Sequence, residues 1–156
     1  MAETILVVDD DPGMLDFLRQ SLQPEGFTVS TAASSLDGIN QAIILQPDLI
    51  LLDLRMPDRD GTTVCSVLRS NPKTQHIPII MVTGVLSPSR LRESMDSGAD
   101  DFVYKPVDLA DLLVRIRAML ECRAIEDPVE RFAHYTEIAR EAARKSSRLH
   151  PPVSKE

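Results

Sequence analysis

The stretch LILLDLRMPDRDG spans residues 49–61. Leu49, Ile50, Leu51 and Leu52 run straight into Asp53, and the chain then passes through Met56 and Pro57 to a turn at Gly61. A short continuous apolar run bounded by turn residues reads as a strand buried on both faces. A carboxylate at the end of such a strand is costly unless something compensates its charge. Asp53 is therefore either neutralised there or used there.

The same pattern recurs on both sides. TILVV (residues 4–8) ends in Asp9, Asp10 and Asp11, and Pro12 then suits the first turn of a helix. Met14, Leu15, Leu18 and Leu22 recur at helical spacing, and Gly26 closes that unit. Residues 27–31 alternate as a strand. Leu36, Ile39, Ile43 and Ile44 mark a second helix, which Pro47 breaks before the strand over residues 48–53. Val64, Val67 and Leu68 carry a third helix, and Pro78 precedes the strand IIMVT (residues 79–83). Leu91 and Met95 place a fourth helix ending at Gly98, and residues 102–104 form a short strand. Leu109, Leu112, Leu113, Ile116 and Leu120 give an amphipathic fifth helix. Strands alternating with helices predict an α/β fold: a five-stranded parallel sheet, doubly wound by helices.

In such sheets ligands bind outside the carboxyl ends of the strands. Here those ends carry Asp9 and Asp10, Asp53, Thr83 and Gly84, and Lys105 and Pro106. Three carboxylates brought together raise one another's pKa. A hard divalent cation resolves this, and Mg²⁺ takes one or two carboxylates with waters and phosphate oxygens. A lysine ammonium and the Thr83 hydroxyl complete a set suited to in-line phosphoryl transfer. The carboxylate itself can be the nucleophile, giving an acyl phosphate.

With ILVVDDDP (5–12), LLDLRMPDRDG (51–61), IIMVTG (79–84) and SGADDFVYKP (97–106) in this order, the chain closely resembles the receiver domain of bacterial two-component response regulators over roughly residues 3–122. The resemblance implies a flavodoxin-like strand order, 2-1-3-4-5. It makes Asp53 the phosphoacceptor. Asp10 becomes the direct Mg²⁺ ligand (Mn²⁺ as an alternative ion), Asp9 acts mainly through water, and the Arg55 main-chain carbonyl is a further ligand. Thr83 matches the hydroxyl that shifts toward the phosphoryl group, Lys105 the lysine that pairs with it, and Tyr104 the aromatic switch. The Lys105–Pro106 bond is then cis, in keeping with the link between cis bonds and proline. The implied activity is a phosphorylation switch that assists its own phosphorylation and dephosphorylation without being a turnover enzyme. The implied partner is a histidine kinase or histidine phosphotransfer protein. The switched surface is helix 4, strand 5 and helix 5. An apolar Val85, with Arg55, flanks the route of the hydrolytic water in this family and implies slow self-dephosphorylation.

Rival readings remain at this point. Asp9 and Asp11 form the DxD of aspartyl-phosphate phosphohydrolases, but Gly13 stands where that family carries Thr or Val, and nothing there explains Asp53. A nucleotide or flavin carrier would need a glycine-rich loop after the first strand. A receiver used only for docking, without phosphorylation, is the third.

Other acids read more plainly. Asp11 caps the first helix. Asp58 and Asp60 read as turn residues around Gly61. Asp100 and Asp101 read as a solvated turn or as partners of Arg115 or Arg117. His76, His134 and His150 share no ligand spacing, and Cys65 and Cys122 read as reduced packing residues. The net charge of −7 disfavours direct nucleic-acid binding, no apolar run reaches membrane length, and the N-terminus carries no export signal, so a cytoplasmic protein is expected.

Residues 1–123 thus read as one receiver domain and residues 124–156 as a C-terminal extension. Asp127, Pro128 and Glu130 signal the start of an extra helix from about Pro128 to Lys145. Its stripe is Val129, Phe132, Tyr135, Ile138, Ala139 and Ala142, and Arg140, Arg144, Lys145 and Arg148 make its end basic. The stripe packs on the receiver, pairs with a second chain as a homodimer, or leads to an output domain. Residues 149–156 read as flexible.

Overall fold

The continuous apolar runs form the interior of the sheet. In the computed structural model, which describes residues 2–84 and 87–145, five parallel strands stand in the order β2–β1–β3–β4–β5. They are β1 (Thr4–Val8), β2 (Thr28–Ala32), β3 (Leu49–Leu52), β4 (Ile79–Thr83) and β5 (Asp101–Tyr104). The three inner strands, β1, β3 and β4, are the near-continuously apolar ones, and residues 5–8, 49–52 and 79–83 are all buried. The more polar TVSTA and DFVY lie at the edges, where only one neighbour is needed. The order is the one expected. The second strand runs one residue later than the alternation indicated, and Phe27 is buried just ahead of it.

The helices are α1 (Pro12–Leu22), α2 (Ser35–Leu45), α3 (Gly61–Ser70), α4 (Pro88–Asp96), α5 (Leu109–Cys122) and α6 (Pro128–Lys145). Contacts divide the chain into two units, Met1–Tyr104 and Lys105–Glu156. The first holds the sheet and α1 to α4. Its second helix turns a face other than the expected one inward. Ser35, Gly38, Ile39 and Ala42 are buried, whereas Leu36 and Ile44 are 54% and 77% exposed. Gly38 sets this face, because a Cβ there would lie 2.7 Å from Val8 Cγ1 on β1. Small residues let the helix approach the strand, and the larger apolar ones are left outside.

In the second unit Asp108 caps α5, accepting bonds from the Ala110 and Asp111 amides. Arg115 and Asp111 form a buried ion pair one turn apart at 2.8 Å. Asp127 caps α6 by accepting from Val129 N at 3.0 Å, and Arg131 Nη1 donates to Ile125 O at 2.8 Å, which fastens the turn between the two helices. The helix α6 packs along α5 with Tyr135 and Ala139 buried. Its bounds are those expected. Val129, counted in the apolar stripe, is 77% exposed. Expectations for Val85, Arg148, His150 and residues 149–156 lie outside the described residues. Among the described residues no helix is long and apolar enough to cross a membrane.

Candidate functional site

The strand order reverses direction at β1 and β3, and that switch point is where open α/β sheets bind ligands. Val8 and Leu52 are register partners, so the next residues, Asp9 and Asp53, emerge side by side. Backbone bonds hold both in place: Asp53 N donates to Val8 O at 2.9 Å and Asp9 N to Ala32 O at 3.0 Å. Asp9 and Asp53 are buried, while Asp10 is exposed. One carboxylate oxygen from each of Asp9, Asp10 and Asp53 lies within 4.8 Å of the others.

This donor set consists of hard oxygens alone, which suits Mg²⁺ and not a soft-ligand metal. Asp9 Oδ1 also accepts from Asp11 N at 2.9 Å, so part of its capacity is spent ordering the loop. Asp11 in turn caps α1, accepting from Gly13 N at 2.9 Å.

Thr83 is the last residue of β4 and is buried. Met81 is the register partner of Leu52, so Thr83 lies two residues further toward the same sheet edge. Tyr104 ends β5, is 39% exposed, and meets Phe102 edge to face with ring centroids 4.9 Å apart. The Lys105–Pro106 peptide is cis and opens the second unit. Arg55 is exposed, and its amide donates to Asp53 Oδ1 over a long 3.4 Å.

The loop from Asp53 to Gly61 is fastened at several points. Gly61 N donates to Leu54 O at 2.7 Å. A Cβ at Gly61 would stand 2.7 Å from Asp53 O and 2.8 Å from Leu54 Cα, so only glycine permits this return. Asp58 and Asp60, read from sequence as turn residues, are helix caps. Asp58 accepts from Ser35 N and Leu36 N, each at 3.1 Å, at the start of α2. These two bonds hold its carboxyl below the usual carboxylate range. Asp60 caps α3 through Thr62 N at 2.9 Å and pairs with Arg90 of α4 at 2.6 Å. Burial pushes the Asp60 carboxyl upward, but bonds from Thr62 and Arg90 outweigh it and leave it lowered. The same contact raises Arg90.

Nothing in linear spacing announces these partners, which lie 22 to 30 residues away. Two further acids depart from the solvated-turn reading. Asp100 pairs with Arg69 of α3 at 2.8 Å and accepts from Ile79 N, and Asp101 is fully buried on β5, so neither lies in a solvated turn.

A family model described as the response regulator receiver domain matches residues 5–117. The chain belongs to this family. Among curated receivers it is similar to the DNA-binding dual master transcriptional regulator RpaA of Synechocystis sp., 42% identical over 116 residues, covering 74% of this chain and 48% of that protein. It is also similar to the response regulator MprA of Mycobacterium ulcerans, 39% identical over 127 residues, covering 81% and 54%. The chain thus spans about half the length of these two relatives. Among solved structures, the CheY-like receiver domain protein of Methanospirillum hungatei aligns with a TM-score of 0.75 at 34% identity, over 81% of this chain and all of that one. The chemotaxis response regulator CheY4 of Vibrio cholerae aligns at 0.71 and 27% identity, over 75% and 98%.

Proposed function

We propose that this receiver accepts a phosphoryl group on Asp53 from a phosphohistidine of a histidine kinase or phosphotransfer protein. The observation that carries the reading is the convergence of Asp9, Asp10 and Asp53 oxygens within 4.8 Å at the switch point of a receiver sheet. An Asp53 carboxylate oxygen attacks phosphorus, the P–N bond to the donor histidine breaks, and the released imidazole nitrogen keeps the electron pair and takes up a proton. Held by Asp10 and the Arg55 carbonyl, with Asp9 through water, Mg²⁺ would neutralise charge on the transferring oxygens. Lys105 pairs with the phosphoryl oxygens and Thr83 donates its hydroxyl to them. Tyr104 then turns inward, and the surface of α4, β5 and α5 changes by a shift between two populated arrangements. The domain spans residues 1–123, with 124–156 as its extension. The protein acts as a switch in the cytoplasm, and any DNA-binding output of the kind named for RpaA belongs to sequence outside this match. Homodimerisation through α5 or the extension is part of the proposal.

Intact mass after incubation with a small phosphodonor tests the acceptor directly. A single phosphoryl adduct is expected with Mg²⁺, and none without Mg²⁺ or in Asp53→Asn. An adduct that persists in Asp53→Asn would move the acceptor elsewhere, and no adduct under any condition would favour a docking role.

A further inference from the structure

The middle of the loop after Asp53 buries no side chain. Leu54 and Met56 are buried, but Pro57, Asp58 and Arg59 are exposed. Apolar burial therefore cannot locate residues 57–59, and hydrogen bonds must. They run in both directions to one place. Asp58 Oδ1 and Oδ2 accept from Ser35 N and Leu36 N, and Ser35 Oγ, fully buried, donates to Arg59 O at 2.8 Å. Ser34 Oγ takes the next amide, Asp37 N, at 3.1 Å. The first three amides of α2 are thus all satisfied, two of them by a carboxylate from a distant loop. A carboxylate also suits the positive end of the helix dipole.

This clasp bears on the site because of what lies between its anchors. Arg55 stands between Asp53, fixed by its bond to Val8 O, and residues 58–59, fixed to α2. The orientation of the Arg55 carbonyl depends on both ends of that short span. We infer that Asp58 and Ser35 are positioning residues for divalent-cation binding: the clasp between residues 58–59 and the start of α2 sets the Arg55 carbonyl against the Asp9, Asp10 and Asp53 carboxylates. The inference rests on the cation reading given above.

Calorimetric titration of the 156-residue chain with Mg²⁺ tests it, comparing the parent, Ser35→Ala, Asp58→Asn, the double variant and Asp53→Asn. Ser35→Ala changes no charge, so it separates the clasp from the general attraction of an acidic loop for a cation. Amide exchange at residues 35 and 36 reports whether the clasp has opened, and urea midpoints report folding. Each single variant is expected to weaken Mg²⁺ binding about tenfold, as for other partners of metal ligands, with the double variant no weaker than the worse single one. Parent-like affinity in Ser35→Ala, with its amides exchanging faster and the protein folded, would overturn the clasp even if Asp58→Asn binds weakly. A parent that takes up no Mg²⁺, or takes it up equally in Asp53→Asn, would instead overturn the cation reading itself and the clasp with it.

Discussion

Thr83 and Tyr104 are Cα partners in the parallel pairing of β4 with β5. In-register neighbours on adjacent strands share a face of the sheet about 4.8 Å apart. Thr83 is buried and Tyr104 is 39% exposed, so one end of this pair sits in the interior and the other meets solvent. A hydroxyl that shifts toward a phosphoryl group changes the space beside the ring. Thr83→Ala is expected to take up phosphoryl yet leave Tyr104 as exposed as in the unmodified protein. The chain has two tyrosines and no tryptophan, so acrylamide quenching of tyrosine fluorescence in a Tyr135→Phe background reads Tyr104 alone. Equal loss of quenching on phosphorylation with and without the Thr83 hydroxyl would separate the two residues.

Gly61→Ala should be costly. The added methyl would meet Asp53 O and Leu54 Cα, both backbone, inside 3 Å. Neither can rotate away, so the loop or the start of α3 must shift. A loss of about 1–3 kcal/mol is expected, as for other overpacked sites, read as a lower urea midpoint. Gly84→Ala, where a Cβ has open space, is the control. Equal midpoints for the two variants would mean that the loop yields without strain.

The central site was legible because apolar strands that end on acids are rare in a chain that must hide charge, and Asp9, Asp10 and Asp53 each follow such a run. The extra helix was legible for a local reason too: Asp127, Pro128 and Glu130 write its start within four residues. What escaped was set by tertiary contact. The inward face of α2 follows from the close approach of Gly38 to Val8, not from the count of apolar residues, and so Leu36 and Ile44 lie outside. Asp58 looked like a turn residue because its true partners, Ser35 and Leu36, belong to a different element.

Acid should loosen the loop in a defined direction. Asp58 and Asp60 have folded pKa values lowered from the ordinary 3.8, so the unfolded chain binds their protons first as pH falls. Their contribution is complete above 3.8 and is lost as pH drops through the lowered folded values. The Asp58→Asn, Asp60→Asn variant leaves one neutral acceptor oxygen at each cap and removes this titration. Its urea midpoint is expected to fall less steeply than the parent's as pH drops below about 4. Parallel slopes would show that other carboxylates govern the acid limb.

The helix α6 is a folded part of its unit, not a tether, because Tyr135 and Ala139 are buried one turn apart where it packs along α5. Tyr135 is 2% exposed and Val129 77%, on the same helix. Truncating a buried aromatic side chain to alanine costs about 3–5 kcal/mol, whereas an exposed substitution usually stays within about 0.5 kcal/mol. Tyr135→Ala should therefore lower the urea midpoint strongly and speed amide exchange in α5 as well as α6, since both lose the shared packing. Val129→Ala should leave both unchanged. Small and equal effects of the two substitutions would mean that α6 opens independently of α5, and its packing would then add nothing to the cooperative unfolding of the unit.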